Sequence, residues 1–506
     1  MNDAQNADQE NDRWAIPESW VWSSMGEVAE VVGGGTPPTN DLENFGGDIP
    51  WITPADLSGY GEKKIARGAR NITQRGLDAS SARLMPAGAV LFSTRAPIGY
   101  VAVASNPVST NQGFKSFVLD ANLLSDYVYY YLQRARNLAI ARASGTTFSE
   151  ISGARTRTIP IPIAPVQEQL RIVAEVEKQL TRLEAGLAAL KRVESGLARY
   201  RTSVLKAACE GRLVPSEAEI ARFEARDYEH AESLLKRVLE KNNSWPDTDL
   251  PFRPDPVPEG WTWINFGALL REPLRNGRSA KRTDDPKGVR TLTLTAVTLG
   301  DFSESNTKRT RAKPEEVEEL WLQPGDILIE RSNTPGLVGT ARMYDGPPNF
   351  AIFPDLLIRA RVSHEIEAHF IEAFLRSSYA RNFFITHAQG IAGHMPKISQ
   401  QVVTDLPVPL PPVAEQRRIL AELDHQLSVA SRLETAVRDG ASQAALLRAS
   451  ILKSAFEGRL IPQDLTDEPA AVFLNRLREA KNSMREGLSG TDQELITSSG
   501  GESVDR

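Results

Sequence analysis

The chain has 506 residues, with 59 Lys and Arg against 65 Asp and Glu, and a formal charge of −6. This excludes a uniformly basic nucleic-acid binder but leaves room for one whose positive charge is local. A hydrophobic content of 41% suits a core-forming chain, the single Cys209 excludes a disulfide framework and fits a reducing cytoplasm, and no apolar run reaches 18 residues, so no membrane helix is expected.

Residues 1–15 are polar and lack the layout of a signal peptide. The sequence IPESWVW at 16–22 then opens a first globular domain, expected over 16–160. Gly33-Gly34-Gly35 follows Val31-Val32, but Thr36-Pro37-Pro38 comes next, which suits a turn better than a phosphate-binding helix start. Lys63, Lys64, Arg67 and Arg70 crowd one loop-like stretch. Strands are predicted over 89–93, 99–104 and 115–119, and a helix over 126–143. Arg95 begins the loop after the first of these strands, and Thr146 lies in a polar loop further on.

A helix follows from Val166 to about Ala208, with Pro160, Pro162 and Pro165 before it and Gly211 and Pro215 after it. Leu180, Leu183, Leu187, Leu190, Leu197 and Val204 fall at three-four spacing on it. We take 161–215 as a spacer helix and 216–256 as a helical linker, Pro- and Asp-rich at its end.

VPEGWTW at 257–263 reopens the pattern, and a second domain is expected over 257–407. The 20 residues from Arg271 to Arg290 carry seven positive charges against three negative, among them Arg278, Lys281 and Arg282. Lys308 and Arg309 belong to another cluster. Strands are predicted over 326–330 and 356–361 and a helix over 365–384. Arg331 and Asn333 begin the loop after the first of these strands, and Lys397 closes the sequence GIAGHMPK. A second spacer helix is expected over 408–462, with Ile419, Leu423, Leu427, Val437, Ala444, Leu447 and Ile451 on its seam. Residues 463–506 read as a C-terminal helix and a disordered acidic tail.

The two halves are copies. PIPIAPVQEQLRIVAE at 160–175 shares ten of sixteen residues with PVPLPPVAEQRRILAE at 407–422. SVLKAACEGRLVP at 203–215 shares nine of thirteen with SILKSAFEGRLIP at 450–462. Both pairs are offset by 247 residues (160 to 407, 203 to 450), so the divergent middle has one length in both copies. One added residue would rotate a packed helix face by about 100°, so equal length argues for register-locked partners. The expected fold is α+β: two mixed α/β domains separated by two long antiparallel helices forming a coiled coil, with a pseudo-twofold internal repeat.

The positive loops suit phosphate contact, although charge runs are also the ordinary form of a solvated face. Arg and Asn at strand ends are the types that read guanine and adenine, and equally the types that fix a loop by ion pairing. No GxxxxGK[ST] loop, no Asn/Asp-Pro-Pro-Tyr/Phe tetrapeptide and no zinc spacing occurs in the sequence.

The tandem layout, the two PxPxxPxxEQxRI helix starts, the two EGRLxP exits, GGTP at 34–37 and IPWITPADL at 49–57 resemble Type I restriction-modification specificity subunits over residues 16–485. The second domain lacks GGTP and has Asn276-Gly277-Arg278-Ser279 in a roughly equivalent place. The resemblance implies target recognition domains that each read half of a split site in double-stranded DNA, with the helices setting the spacer. It implies two methylation subunits, joined in some complexes by two restriction subunits, all cytoplasmic and none of them membrane-bound. S-adenosylmethionine, ATP and magnesium would sit on those partners, with no cofactor on this chain. A single-chain restriction or methyltransferase enzyme, and a helical scaffold that binds no DNA, are the alternative readings.

Overall fold

A computed structural model describes residues 13–95, 97–120, 123–144, 149–242, 256–390 and 395–479. The chain divides into two compact units, residues 1–189 with 440–506, and residues 190–439. Both boundaries fall inside the long helices and not at their ends. The sequence-based division treats each spacer helix as a segment of its own, whereas each unit packs half of both helices onto its own domain.

In the first unit the strands are β1 (Val21–Ser24), β2 (Ala29–Gly33), β3 (Phe45–Ile52), β4 (Lys64–Ile65), β5 (Arg70–Ile72), β6 (Val90–Phe92), β7 (Val101–Ala104), β8 (Ser109–Thr110), β9 (Lys115–Leu119) and β10 (Pro160–Ile163). They form sheets ordered β2-β9-β6-β7-β4, β5-β3-β8 and β1-β10. The last pair explains the PIPI sequence. Pro160 and Pro162 alternate with Ile161 and Ile163, so donors occur on every other residue, which serves one ladder and no more.

The second unit holds β11 (Thr262–Asn265), β12 (Arg275–Asn276), β13 (Val289–Leu292), β14 (Thr307–Thr310), β15 (Ile327–Glu330), β16 (Ala341–Met343), β17 (Leu357–Ala360) and β18 (Pro407–Leu410). Its sheets are ordered β12-β17-β15-β16, β13-β14 and β11-β18. The registers repeat those of the first unit. Val90 pairs with Val103 and Phe117, and Ile327 pairs with Met343 and Ala360. The two domains are therefore one topology built twice, with β4 lacking a counterpart and β8 matched only by an isolated parallel bridge from Thr291 to Ile352.

Two predicted single helices are broken. The first becomes Ser125–Arg134 and Arg136–Ala141 around Ala135. The second becomes Ala368–Leu375 and Ser378–His387, where the Ser377 hydroxyl accepts from Ala380 N and restarts the helix.

The long helices run Val166–Cys209 and Val413–Phe456, 44 residues each and about 66 Å at 1.5 Å per residue. Within each unit they are antiparallel. In the first, Glu184 meets Arg448 at 3.5 Å while Ile172, Val176 and Leu180 share a core with Ile451, Leu452 and Phe456. In the second, Arg201 meets Glu434 at 2.8 Å while Val204 packs with Leu423 and Leu427. Leu447 departs from its expected seam position: its side chain is 52% exposed, and the seam there runs through Ala444, Arg448 and Ile451. Arg448 reaches Gln133 and Glu184, and it is this polar contact that a search for apolar spacing passes over.

The repeated motifs fix each long helix to its own domain. Trp20 donates its indole N–H to Glu168 at 2.9 Å, and Trp261 does the same to Glu415 at 2.9 Å. Both carboxylates are buried, and burial raises their pKa while these hydrogen bonds oppose the rise. Gln169 and Gln416 donate back to Ala164 and Pro411 and accept from the N–H of Leu124 and Glu367. At the exits Gly211 and Gly458 take φ +66° and +67°, the left-handed turn that ends a helix. Cys209 is core: its thiol is buried against the second domain and burial pushes its pKa up to about 12.

Candidate nucleic-acid interface

Each domain turns the same set of loops toward one edge. In the first, Gly34 N donates to Phe114 O and Gly35 N to Thr110 O, locking the GGTP segment beside the β8–β9 turn. A Cβ on Gly34 would sit 1.9 Å from Asn111 O, which is why glycine stands there. In the second, Gly277 N donates to Leu357 O and Arg278 N to Phe353 O, and a Cβ on Gly277 would sit 2.2 Å from Phe353 O. Gly277 thus matches Gly34, and Asn276-Gly277-Arg278-Ser279 is the second domain's version of GGTP. The loops after β6 and β15 join the same edge, with Thr94 N donating to Gly113 O and Arg331 N to Leu356 O, both at 2.8 Å.

These bonds fix the equivalence of the two loops. Arg331 matches Thr94, and Arg95 matches Ser332. Arg95 bridges Glu150, and Ser332 bridges Lys397. Glu150 is itself laddered to Ser144, as Lys397 is to Gln389. So Lys397, exposed, occupies the place of an acidic residue in the other domain, and the Arg95 side chain stands 4.0 Å from that Glu150. Thr146 lies outside the described residues.

The first domain's basic stretch divides by partner. Lys63 is held by Asp126 at 2.6 Å and by Glu177 of the first long helix at 2.5 Å. Burial alone would lower its pKa, but the hydrogen bonds to the two carboxylates outweigh it and raise the pKa. Its charge is neutralised, and what it does is tie the loop to the helix. Lys64 on β4, Arg67, and Arg70 on β5 are exposed, and no ion pair engages them among the described residues.

In the second domain the two basic clusters, separated in sequence, become one ribbon. β13 pairs with β14, Arg282 bridges Thr310 on the far side, and Arg311 N donates to Lys281 O at 2.9 Å. Paired residues share a face and neighbours alternate. Val289, Thr291 and Thr310 point to the core, while Lys281, Arg290, Arg309 and Arg311 share the opposite face. Arg290 is paired with Glu304 and lies over the Phe350 ring, and Arg309 donates to Gly288 O, so both are held in place. Lys308 and Arg282 flank the core-side face, half-buried and exposed respectively. Arg278 is paired with Glu316 at 2.5 Å.

Asn333 donates to Glu330 at 2.5 Å, and its side-chain oxygen accepts from Thr334 N. Burial raises the Glu330 pKa, against the hydrogen bonds from Thr298 and Asn333. Asn333 is oriented from beneath by a buried carboxyl, and Arg331 beside it keeps a buried Nε with no hydrogen-bond partner among the described residues.

Known proteins share parts of this chain. Residues 17–191 match the model of the Type I restriction modification DNA specificity domain. The chain is 40% identical over 166 residues to the MjaIX specificity subunit of Methanocaldococcus jannaschii, covering 32% of this chain and 38% of that one. It is 24% identical over 470 residues to the EcoKI specificity subunit of Escherichia coli K12, covering 90% and 92%. Over most of its length the chain is similar to Type I restriction enzyme specificity subunits. A solved structure described as bearing on complex assembly and conformational transition of the type I R-M system covers 88% of this chain with a TM-score of 0.59 at 19% identity, a likeness of fold. The repeated framework with divergent side chains at its loop edge is the informative feature. Backbone bonds hold the loops alike, and residue type changes from one domain to the other. No described helix is long and apolar enough to cross a membrane.

Proposed function

We propose that this specificity subunit reads a bipartite DNA target, one half-site per domain, and that the 44-residue helix pair sets the length of the spacer. The observation that carries the reading is the duplicated loop edge: equivalent backbone bonds at Gly34 and Gly277, and at Thr94 and Arg331, frame different side chains. Lys64, Arg67, Arg70, Lys281, Arg309, Arg311 and Lys397 supply the phosphate contacts, and Arg95, Arg331 and Asn333 supply candidates for base contact. Thr146 stays with that proposal on sequence grounds alone. This chain recognises. Two methylation subunits bring S-adenosylmethionine and transfer methyl to adenine N6, and restriction subunits, where they join, bring ATP, magnesium and cleavage.

The experiment is sequencing of methylated adenines in cells carrying the whole system. Exchanging residues 257–407 for the corresponding domain of another specificity subunit should change one half-site and leave the other half and the spacer as they were. Change in both halves, or no bipartite motif with the parent chain, refutes the reading.

A further inference from the structure

The loop edge carries a second matched feature, one that involves side chains. In the first domain the Thr36 hydroxyl donates to Gln112 Oε1, and in the second the Ser279 hydroxyl donates to Asp355 Oδ1. Thr36 and Ser279 each stand two residues beyond the matched glycines Gly34 and Gly277. Gln112 lies two residues after Thr110 and two before Phe114, and Asp355 lies two after Phe353 and two before Leu357. These flanking residues are the backbone partners that define the equivalence. One hydroxyl therefore orients one polar side chain at the same place in both domains, and that side chain differs.

Gln112 and Asp355 are both exposed. Each sits beside the residue, Gly113 or Leu356, that anchors the loop carrying Arg95 or Arg331. Asp355 makes no ion pair among the described residues, although its partner Ser279 stands between Arg278 and Lys281 in sequence; Arg278 turns instead to Glu316. An unpaired carboxylate at a DNA-facing edge is repelled by phosphate, so its use there must be at a base. Base edges reward these two side chains differently. A glutamine offers one acceptor and two donors, matching adenine N6–H and N7, whereas an ionised aspartate only accepts and matches the cytosine N4 amino group. The hydroxyl takes one lone pair of Gln112 Oε1 or Asp355 Oδ1 and leaves the outward hydrogen-bonding positions open.

We propose that Gln112 and Asp355 are specificity-determining residues, each contacting a base edge in the half-site of its own domain, with Thr36 and Ser279 as positioning residues. This rests on the reading of the two domains as DNA readers. The test is methylation-motif sequencing of the whole system carrying Gln112→Ala, Gln112→Glu, Thr36→Val or Asp355→Asn. Gln112→Ala should relax a single base position in one half-site, with discrimination there falling about 5- to 100-fold, while the other half-site and the spacer stay fixed. Gln112→Glu, acceptor-only and similar in size, should move the preference at that position toward a cytosine-bearing pair. Asp355→Asn should alter one position in the other half-site. Thr36→Val should loosen the same position as Gln112→Ala, to a smaller extent, without changing affinity for non-target DNA. A parent system with a bipartite motif and variants that return that motif unchanged overturn the assignment of these residues. A parent system with no bipartite motif overturns the reading beneath it.

Discussion

The same substitution, glycine to alanine, should have opposite effects at two places in the first unit. Gly458 ends the second long helix at φ +67°, where an L-residue costs about 1–2 kcal/mol. Its added Cβ would also fall 2.3 Å from Pro17 Cγ, so Pro17, three residues before the Trp20 that is bound to Glu168, would have to move. Overpacking of this kind costs about 1–3 kcal/mol, and the two effects together give about 2–5 kcal/mol of destabilisation. Gly186 lies inside the first long helix with open space where a Cβ would stand, and Gly186→Ala should stabilise by about 0.5–1 kcal/mol. Urea unfolding of the two variants beside the parent measures both signs. A neutral Gly458→Ala would refute the claim that the EGRLxP exit is fixed by its turn and by the Pro17 contact. A destabilising Gly186→Ala would refute the solvent-facing placement of that helix turn.

Lys63→Gln should leave the dependence of DNA affinity on salt unchanged, because Asp126 and Glu177 already neutralise it, whereas Lys281→Gln with Arg311→Gln should flatten the log–log slope by about 2, read from binding isotherms across salt concentrations. Burial works against ionisation of Glu217, but hydrogen bonds from Arg418 and Arg226 prevail and hold its carboxyl below the ordinary range. A depressed carboxyl pKa contributes stability above the unfolded value and loses it as pH falls through the folded one. Arg418→Gln should therefore cost about 1–3 kcal/mol near neutral pH, in line with a charge-assisted hydrogen bond, and the difference from the parent should shrink below about pH 4 in unfolding titrations.

Much of this architecture is legible in the sequence because the repeat marks the parts under geometric constraint. The paired motifs fall on residues that can be nothing else: buried Glu168 and Glu415 receiving an indole N–H, and Gly211 and Gly458 in a left-handed turn. The rods' start at Val166 follows from the prolines before it. What the sequence conceals is pairing between distant segments. Lys63 reads as a free cation until Glu177, 114 residues away, is seen against it. Lys281 and Arg311 read as separate clusters until a backbone bond joins them. Thr36 lies in the GGTP motif, but nothing in the sequence ties it to Gln112, 76 residues further on.

The distribution of likeness between the two domains also says what kind of evolution this edge permits. Bonds that hold loops use backbone groups, Gly34 N to Phe114 O and Gly277 N to Leu357 O, and backbone groups are indifferent to side-chain identity. Glu150 can therefore become Lys397, and Gln112 can become Asp355, without disturbing the register that presents them. The rods obey the opposite rule. Their contacts run through particular side chains, Trp20 with Glu168 and Trp261 with Glu415, and a change on one side leaves a buried carboxylate short of a donor. New readings of DNA should then arise at exposed positions on the loop edge, while the Trp–Glu anchors resist change, and this is the pattern the two halves of the chain already display against each other.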